Sequence, residues 1–446
     1  MPPLLDIPDP YRIEPIRKRF DATITPPGSK SETNRAIVLA ALCKGTATIR
    51  NALTDADDAR RAIEAVRMLG AEAAADGTTV TVTGVNGQWH TEPPGVTVDL
   101  NNAGTATRFL TAAALLSPAP VTITGNARMQ QRPIGQLAQA LRDLGATIDH
   151  HNAPGCPPLT ITPPTRPLRA PTVTIDTPDS SQFVSALLMI GPWIPGGMTV
   201  RITGEVTSAP YLAMTIDMLD RVGADVHASA DLRTLRCGPP TTTTPGLDAF
   251  DYAIEPDASG ATYFWTAAAI TPGAACLIPG LSERSTQGDV GYARLLERMG
   301  CTVDYSDAGI AVTGPNRLQP ILADLSDMPD TAMSLAAACV FADGASVIRG
   351  LRTLRVKETD RIAAIETELT KLGVDVRVQG DDAITITPPT RGLDDTPIAF
   401  DTYDDHRMAM SLALIGLRRP NVAINDPMCV RKTYPTYWHD LERLRG

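Results

Sequence analysis

The sequence predicts an α/β protein of two domains, each made of three copies of one unit that combines helices and strands. The length of the chain and two recurring patterns predict this fold. A chain of 446 residues is too long for one ordinary core, so we expect at least two domains. The two patterns divide the chain further, into six units of similar length.

The first pattern is a helix that ends in glycine and is followed by an alternating strand, as in "LAQALRDLGATIDH". A glycine after the last helical turn supplies the left-handed conformation of a C-cap. The spacings between successive glycines are 75, 78, 77, 73 and 73 residues, which predicts five full copies and a sixth that stops at its cap. These glycines are Gly70, Gly145, Gly223, Gly300, Gly373 and Gly446.

The end of the sixth copy is expected at the front of the chain. Copies two and five close with "LTITPPTRPL" and "AITITPPTRG", and the chain opens with the similar "DATITPPGSK". We therefore predict that this N-terminal strand completes the sixth unit and that both termini lie in one domain.

The second pattern is a polar cluster before an Ala-rich apolar helix, beginning near residues 28, 101, 179, 256, 329 and 403. Helices that are apolar on nearly every side are buried, so we expect these six at the centres of the domains. One domain is predicted to contain residues 1–27 and 256–446, and the other residues 28–255. The chain would cross between them near 25–28 and 250–257.

Composition excludes several classes of protein. The chain is 43% apolar and 20% charged, which is typical of a globular protein, and it has neither a secretory signal nor a run of the ~20 apolar residues that a membrane helix needs. Seven scattered cysteines without a C-x-x-C pair favour reduced thiols and the cytoplasm. A net charge of −10 argues against a general affinity for nucleic acid or anionic membrane. The dispersed histidines predict no metal site.

The stretch "TPPGSKSETNRAIVLAAL" predicts an anion site rather than a nucleotide P-loop. A P-loop needs a glycine five residues before Gly28, and Thr23 stands there. Gly28 instead begins one of the six polar clusters, each at a helix N-terminus, where unpaired N–H groups attract phosphate and carboxylate. If the six helices converge, their ends face a common cleft between the domains.

The side chains near these helix ends are mostly cations and hydroxyls, although the chain is acidic overall. Because arginine binds phosphate and carboxylate bidentately, they predict a small substrate with more than one anionic group. These residues are Lys30, Ser31, Arg35, Asn102, Gly104, Thr105, Arg108, Arg128, Arg132, Ser180, Ser181, Gln182, Arg355, Lys357, Arg361, His406, Arg407, Arg431 and Lys432.

Plainer interpretations stay open for some of these residues. Ser180 and Asp257 fit ordinary N-caps, and the segment "VKETDR" fits a salt-bridged first turn of a helix. Two carboxylates, Asp330 and Glu358, stand among the cations on separate elements. That is the arrangement needed for general acid–base catalysis.

Eight motifs, in order over essentially the whole chain from about Tyr11, resemble the 5-enolpyruvylshikimate-3-phosphate (EPSP) synthases. They are "PPGSKSETNRA", "NAGTATRF", "RMQQRPIG", "SSQFVSALLM", "PDTAMS", "RVKETDR", "DDHRMAM" and "KTYPTYW". The resemblance implies two inside-out α/β domains, barrel-like, each with three βαβαββ repeats around buried helices and with the active site in the interdomain cleft. It also implies a cytoplasmic monomer of the shikimate pathway, which leads to chorismate and the aromatic amino acids.

The resemblance implies transfer of the enolpyruvyl group of phosphoenolpyruvate to the 5-hydroxyl of shikimate 3-phosphate, with release of phosphate and without metal or organic cofactor. Asp330 matches the base for the 5-hydroxyl, Glu358 matches the group that protonates the methylene carbon, and Lys30 matches a catalytic lysine. The residues matched to shikimate 3-phosphate are Lys30, Ser31, Arg35, Ser180, Ser181, Gln182, Ser208, Asp330, Thr353 and Lys357. Those matched to phosphoenolpyruvate are Lys30, Gly104, Arg132, Gln182, Arg361, Arg407 and Lys432.

The chain departs from the family pattern at four positions. Thr353 stands where many members carry asparagine, Leu354 where tryptophan is frequent, Phe109 where proline is common and Asn101 where glycine is common. Gly104 is retained, and in this family that glycine leaves room for the herbicide glyphosate. We therefore predict inhibition by glyphosate.

Four other classes of protein fit the sequence less well. The related transferase acting on UDP-N-acetylglucosamine carries a cysteine in its mobile loop, and "GNARMQQRP" has none. A catalytically silent phosphometabolite-binding protein would not need Asp330 and Glu358. A P-loop kinase is disfavoured by the missing glycine. An open structural repeat protein would not need its N-terminal strand to complete the last unit.

Overall fold

The computed structural model describes residues 7–240 and 245–445. Every repeat contains a sheet of three or four strands. The strands are β1 (Tyr11–Ile13), β2 (Asp21–Thr23), β3 (Thr46–Arg50), β4 (Glu72–Asp76), β5 (Thr79–Thr83), β6 (Val96–Asp99), β7 (Val121–Thr124), β8 (Thr147–His150), β9 (Leu159–Thr162), β10 (Thr172–Ile175), β11 (Met198–Ile202), β12 (Asp225–Ala228), β13 (Thr234–Gly238), β14 (Asp251–Ala253), β15 (Ala275–Ile278), β16 (Thr302–Ser306), β17 (Gly309–Thr313), β18 (Leu322–Asp324), β19 (Ser346–Arg349), β20 (Asp375–Gln379), β21 (Ala383–Thr387), β22 (Ile398–Phe400) and β23 (Val422–Ile424).

The helices belong to two alternating kinds, one wholly buried and one amphipathic. They are α1 (Lys30–Leu42), α2 (Asp57–Met68), α3 (Gly104–Ala113), α4 (Gly135–Asp143), α5 (Ser181–Ile190), α6 (Ala209–Arg221), α7 (Ala258–Ile270), α8 (Tyr292–Arg298), α9 (Ala332–Cys339), α10 (Arg361–Thr370), α11 (His406–Gly416) and α12 (Tyr437–Glu442).

The chain divides into two compact units, each with its own hydrophobic core. Unit 1 takes in Met1–Pro27 and Glu255–Gly446, and unit 2 takes in Gly28–Ile254. Residues 1–6, 241–244 and the predicted cap Gly446 lie outside the described part of the chain.

The repeat is a βαβαββ copy, as the sequence resemblance implied. In the sheet of order β6-β7-β9-β8, the first pair is parallel and the other two pairs are antiparallel. The same arrangement recurs in β10-β11-β13-β12 and in β18-β19-β21-β20. The five cap glycines within the described residues all have positive φ, between 74° and 103°, which glycine adopts without the steric penalty of a Cβ.

Two short strands exchange partners where the chain passes from one unit to the other. Strand β2 precedes α1 but pairs in parallel with β15, the strand after α7. Strand β14 precedes α7 but pairs in parallel with β3, the strand after α1. Each strand thus completes the sheet of the unit that it belongs to, although its own following helix lies in the other unit.

The prediction that the "DATIT" strand completes the sixth unit is wrong. That segment is β2 and belongs to the fourth sheet, whereas β1 completes the sixth by pairing antiparallel with β23. The physical reason is position in the repeat: β2 stands before a polar cluster and a buried helix, so it is equivalent to the first strand of a copy. Its likeness to the closing strands lies in the turn that follows.

The buried helices are those that follow the polar clusters. Every residue of α3, α7 and α11 is buried. The amphipathic helices α2 and α4 bury one face only. Polar side chains of these helices are concentrated in their first turns, as at Lys30 and Ser31 of α1, Thr105 of α3, Gln182 of α5 and His406 and Arg407 of α11. No helix in the described ranges is long and apolar enough to cross a membrane.

Candidate active site

In unit 1, the carboxylate of Asp330 contacts three cations. Asp330 lies in the 3-10 turn Pro329–Thr331 that leads into α9. Its Oδ2 accepts a hydrogen bond from Arg407 Nη2 at 2.8 Å, and its Oδ1 accepts one from Arg361 Nη1 at 3.0 Å. The Nζ of Lys357 lies 3.6 Å from Oδ1. The N-terminal ends of α9, α10 and α11 thereby meet at one carboxylate.

The second carboxylate, Glu358, is held in the same network. Its Oε2 accepts from Arg361 Nη2 at 3.0 Å, and its Oε1 accepts from Lys432 Nζ at 2.9 Å. The Glu358 side chain is 5% exposed. Arg361 therefore joins the two carboxylates through its two terminal nitrogens. We call Asp330, Glu358, Arg361, Asp405 and Arg407 the Arg361 cluster.

Asp405 orients Arg361 by accepting hydrogen bonds from two of its nitrogens. Its Oδ2 accepts from Arg361 Nε at 2.8 Å and its Oδ1 accepts from Nη2 at 3.2 Å, while Oδ1 also caps α11 by accepting from the backbone N–H of Arg407. Burial alone lowers the pKa of the Arg361 guanidinium, but its three carboxylate partners together raise it above the ordinary value. This bidentate pair is fully buried, which fixes the plane of the guanidinium.

Two further buried groups face the cluster. Tyr263 on α7 accepts a hydrogen bond at its hydroxyl from Arg407 Nη1 at 3.2 Å, and burial raises the pKa of Tyr263 to about 12. Asp289, before α8, accepts from the Ser259 hydroxyl. Burial, and then the charge of Asp330, raise the pKa of Asp289 to about 7.

In unit 2, Lys30 and Arg35 project from the first two turns of α1. Lys30 Nζ lies 3.8 Å from Oδ2 of the buried Asp58. Arg35 is buried and donates to neutral acceptors on three helices: Ser31 O on α1, the Ser185 hydroxyl on α5, and Tyr211 O and the Thr215 hydroxyl on α6. Burial lowers the pKa of Arg35 to about 10. A buried cation held by neutral groups favours an anionic ligand.

Gly104 and Arg132 are in close contact at the start of α3. A Cβ on Gly104 would lie 2.7 Å from Arg132 Nη2, so the guanidinium occupies the space that a side chain would take. Arg132 Nη1 donates to Asn102 Oδ1 at 3.1 Å. Gln182, on the first turn of α5, donates from Nε2 to Thr105 Oγ1 at 3.1 Å, which links the N-termini of α3 and α5.

Three serines lie at helix starts with different backbone roles. The hydroxyl of Ser180 caps α5 by accepting from the Gln182 N–H, so the plainer N-cap interpretation is correct for it. Asp257 caps α7 in the same way. Ser181 is the first residue of α5. Ser208 precedes α6 in a left-handed conformation, φ 50°, and makes no side-chain cap.

Other predicted cations have local partners. Arg355 pairs with Asp360, the N-cap of α10, at 3.0 Å. Arg108 donates to the backbone oxygens of Gly104 and Pro133. Thr353 lies in the 3-10 turn Arg352–Val356, where its buried hydroxyl has no hydrogen-bond partner among the described residues.

The sequence interpretation missed Asp405, Tyr263 and Asp58. A signal existed for Asp405, since an acidic residue directly before a buried helix predicts an N-cap. Tyr263 was hidden in the apolar run "ATYFW", although a buried tyrosine hydroxyl usually needs a polar partner. Nothing in the sequence pointed to Asp58.

The fold is that of the enolpyruvyl transferases. The structure matches an EPSP synthase from Acinetobacter baumannii with a TM-score of 0.78 and 26% identity, covering 97% of each chain. It matches the enolpyruvyl transferase NikO from Streptomyces tendae in fold, with a TM-score of 0.71 over 97% of this chain and 96% of that one, at 20% identity.

Sequence comparisons give the family. The model of EPSP synthase (3-phosphoshikimate 1-carboxyvinyltransferase) matches residues 15–441. The 3-phosphoshikimate 1-carboxyvinyltransferase of Vibrio cholerae serotype O1 (strain M66-2) is 40% identical over 97% of this chain and 98% of its own length. The enzyme of that name from Burkholderia ambifaria is 42% identical over 95% and 96% of the two chains. The chain belongs to the EPSP synthase family.

Proposed function

We propose that this chain transfers the enolpyruvyl group of phosphoenolpyruvate to the 5-hydroxyl of shikimate 3-phosphate and releases phosphate. The observation that carries the proposal is the bridge made by Arg361, which holds Asp330 and Glu358 at 3.0 Å on either side of one guanidinium. Two carboxylates at a fixed separation in a cationic site suit a reaction that takes a proton at one point and gives one at another.

Proton transfer is assigned to the two carboxylates. Asp330 takes the proton of the 5-hydroxyl as its oxygen attacks C2 of phosphoenolpyruvate. Glu358 donates a proton to C3, the methylene carbon, so that C2 becomes electrophilic. The resulting tetrahedral adduct then loses phosphate: the C–O bond to phosphate breaks, the leaving phosphate takes up the proton held by Asp330, and the enolpyruvyl double bond re-forms as C3 returns a proton to Glu358. Lys30 and the arginines stabilise the charge that develops on the leaving phosphate.

The anionic groups of the substrates are assigned to the remaining residues. Shikimate 3-phosphate is proposed to contact Lys30, Ser31, Arg35, Ser180, Ser181, Gln182, Ser208, Asp330, Thr353 and Lys357. Phosphoenolpyruvate is proposed to contact Lys30, Gly104, Arg132, Gln182, Arg361, Arg407 and Lys432. The buried Arg35 supports the first set, as does the Thr353 hydroxyl, which has no hydrogen-bond partner in the described part of the chain. The cations around Asp330 and Glu358 support the second set.

Substrate binding would change the state of the carboxylates. Arg407 is paired with Asp330, and Lys432 is paired with Glu358. Both cations are assigned to phosphoenolpyruvate, whose charges compete for them. Binding would therefore weaken the ion pairs of Asp330 and Glu358 and leave the carboxylates available for proton transfer.

The alternatives make distinct demands on the site. A silent binding protein has no use for two carboxylates, Glu358 buried and Asp330 largely so, next to an anion site, because like charges weaken anion binding. The transferase that acts on UDP-N-acetylglucosamine is disfavoured by the loop "GNARMQQRP" and by the relatives' names. We further propose a cytoplasmic monomer.

The test is phosphate release from phosphoenolpyruvate by the purified chain, with and without shikimate 3-phosphate and with a chelator present. We expect release only with shikimate 3-phosphate, unaffected by the chelator, and a fall of at least about a hundredfold in Asp330→Asn and Glu358→Gln. Asp327→Asn, exposed and three residues from Asp330, and Glu366→Gln, on α10, are the matched controls and should retain activity. Binding of shikimate 3-phosphate without phosphate release would refute the proposed reaction.

A further inference from the structure

Phe109 contacts Arg35, which is proposed to bind shikimate 3-phosphate in unit 2. Its ring, on α3, lies with its centroid 5.1 Å from the Cζ of Arg35, on α1. Both side chains are buried, each with 1% of its surface exposed. A guanidinium over an aromatic face is attracted by the ring quadrupole, and the attraction is larger where water is excluded.

The edges of the same guanidinium are occupied by hydrogen bonds. Nε donates to Thr215 at 2.7 Å, one Nη1 donor goes to Ser31 O at 2.9 Å, and Nη2 donates to Tyr211 O at 3.2 Å and to Ser185 at 3.5 Å. A guanidinium has five N–H donors, so one Nη1 donor has no acceptor among the described residues.

Charge favours an anion at that remaining donor. Within the described residues, no carboxylate forms an ion pair with Arg35, although Glu32 on the same helix contributes some favourable charge. A planar cation held on its edges by neutral groups and on one face by a ring has little freedom to turn. Together with these hydrogen bonds, the ring therefore restrains how the plane of the guanidinium meets a ligand.

We propose that Phe109 is a positioning residue for shikimate 3-phosphate, because its ring fixes the plane of Arg35 and so aims the remaining Nη1 donor at an anionic group of that substrate. The inference rests on the proposed function. A proline, common at this position in the family, has no aromatic face and could not make this contact with Arg35.

The test compares Phe109→Leu with Phe109→Tyr, which keeps the ring, and with Phe183→Leu. Phe183 is equally buried in the core of unit 2, on α5, but has no cation contact among the described residues. For each variant, kcat and the KM values of both substrates are measured, together with the Kd of shikimate 3-phosphate by calorimetry and the thermal unfolding midpoint. Phe109→Met serves in place of Phe109→Leu if the latter does not fold.

We expect Phe109→Leu to raise the KM and Kd of shikimate 3-phosphate about three- to tenfold, with less than about a twofold change in the KM of phosphoenolpyruvate. Phe109→Tyr should keep the KM and Kd of shikimate 3-phosphate near the wild-type values. Phe183→Leu should lower the unfolding midpoint without raising that KM or Kd. If the wild-type chain is active, an unchanged KM of shikimate 3-phosphate in Phe109→Leu, or an equal rise of that KM in Phe183→Leu, would overturn this inference and leave the proposed function standing. A wild-type chain that neither binds shikimate 3-phosphate nor releases phosphate would overturn the proposed function and this inference together.

Discussion

Arg407 Nη2 lies 2.8 Å from Asp330 Oδ2, while Arg407 Nη1 contacts the Tyr263 hydroxyl. Arg407, which is proposed to bind phosphoenolpyruvate, thus uses both terminal nitrogens of its guanidinium. Lysine has one ammonium group and cannot reproduce this fork. We expect Arg407→Lys to raise the KM of phosphoenolpyruvate about tenfold or more, since one charge-assisted hydrogen bond contributes roughly 1.5–3 kcal/mol.

Steady-state kinetics with phosphoenolpyruvate varied at saturating shikimate 3-phosphate would measure this effect. Arg317→Lys, which alters an exposed pair with Asp343, is the control and should behave as wild type. A normal KM in Arg407→Lys would mean that Arg407 serves the fold and not the substrate.

Asp405 is predicted to affect catalysis through Arg361. Asparagine caps a helix as well as aspartate does, so Asp405→Asn keeps the cap of α11 but removes the charge that fixes Arg361. We expect kcat to fall at least about tenfold, because the buried Arg361 then turns toward its other carboxylate partners. Asp405→Ala should in addition lose about 1 kcal/mol of stability with the cap.

The matched control is Asp360→Asn, at the N-cap of α10, where the aspartate pairs only with the partly exposed Arg355. It should keep kcat within about twofold, as expected for a pair of little energetic value. Equal losses in both variants would show that capping, and not the orientation of Arg361, is what matters.

Gly104→Ala is predicted to weaken ligand binding while sparing the fold. The new Cβ would meet Arg132 Nη2 at 2.7 Å, and the end of a long side chain can move aside. The moved guanidinium would bind phosphoenolpyruvate less well, and the space predicted for glyphosate would shrink. We expect a KM increase of about tenfold for phosphoenolpyruvate, about the value of one lost charged hydrogen bond, and a larger loss of inhibition by glyphosate.

Gly135→Ala, at the start of α4, provides the comparison, because its Cβ would meet only ordinary contacts, at 3.4 Å or more. The test is to measure the inhibition constant of glyphosate for the wild type, Gly104→Ala and Gly135→Ala. Glyphosate that inhibits Gly104→Ala as strongly as wild type would contradict the predicted role of this glycine.

Asp289 is predicted to make the stability of unit 1 fall with rising pH. Its folded pKa of about 7 exceeds the ordinary value of about 3.9, so the folded chain binds more protons than the unfolded chain between these values. The free energy of unfolding therefore decreases as pH rises through that interval, and the penalty is complete above pH 7. Asp289→Asn removes it, with a gain on the order of 1–3 kcal/mol at pH 8 and almost none at pH 4.5.

Denaturant unfolding at both pH values would measure the difference. Asp324→Asn serves as a control of opposite sign, because hydrogen bonds from the Ser326 hydroxyl and N–H lower the pKa of Asp324. Its stabilising effect is present at pH 8 and is lost as pH falls. A gain in Asp289→Asn that is the same at both pH values would exclude the proposed protonation.

The repeats were predictable because each copy carries its own local signal. A glycine with positive φ, such as Gly145, marks the end of a helix whatever surrounds it. The partner of a three-residue strand carries no such signal, since it depends on which sheet has an open edge. For that reason β2 was assigned to the wrong sheet.

Individual residues of the candidate site could be proposed from the sequence, but the contacts between them could not. Asp330, Glu358 and Arg361 could be selected as charges near helix starts. The pairing of Arg361 with Asp405, 44 positions along the chain, could be found only from the fold. Phe109 and Arg35 likewise lie on separate helices, and neither segment carries a sequence pattern that predicts their contact.

The exchange of β2 and β14 determines the order in which the chain can fold during synthesis. Unit 2, Gly28–Ile254, is one uninterrupted segment and is complete when its last strand leaves the ribosome. β1 and β2 are made first, yet β2 must wait for β15, and β1 for β23, near the other end of the chain. β1 is therefore among the last strands to find a partner, whereas β2 can pair as soon as β15 is made, and both remain unpaired throughout translation of unit 2.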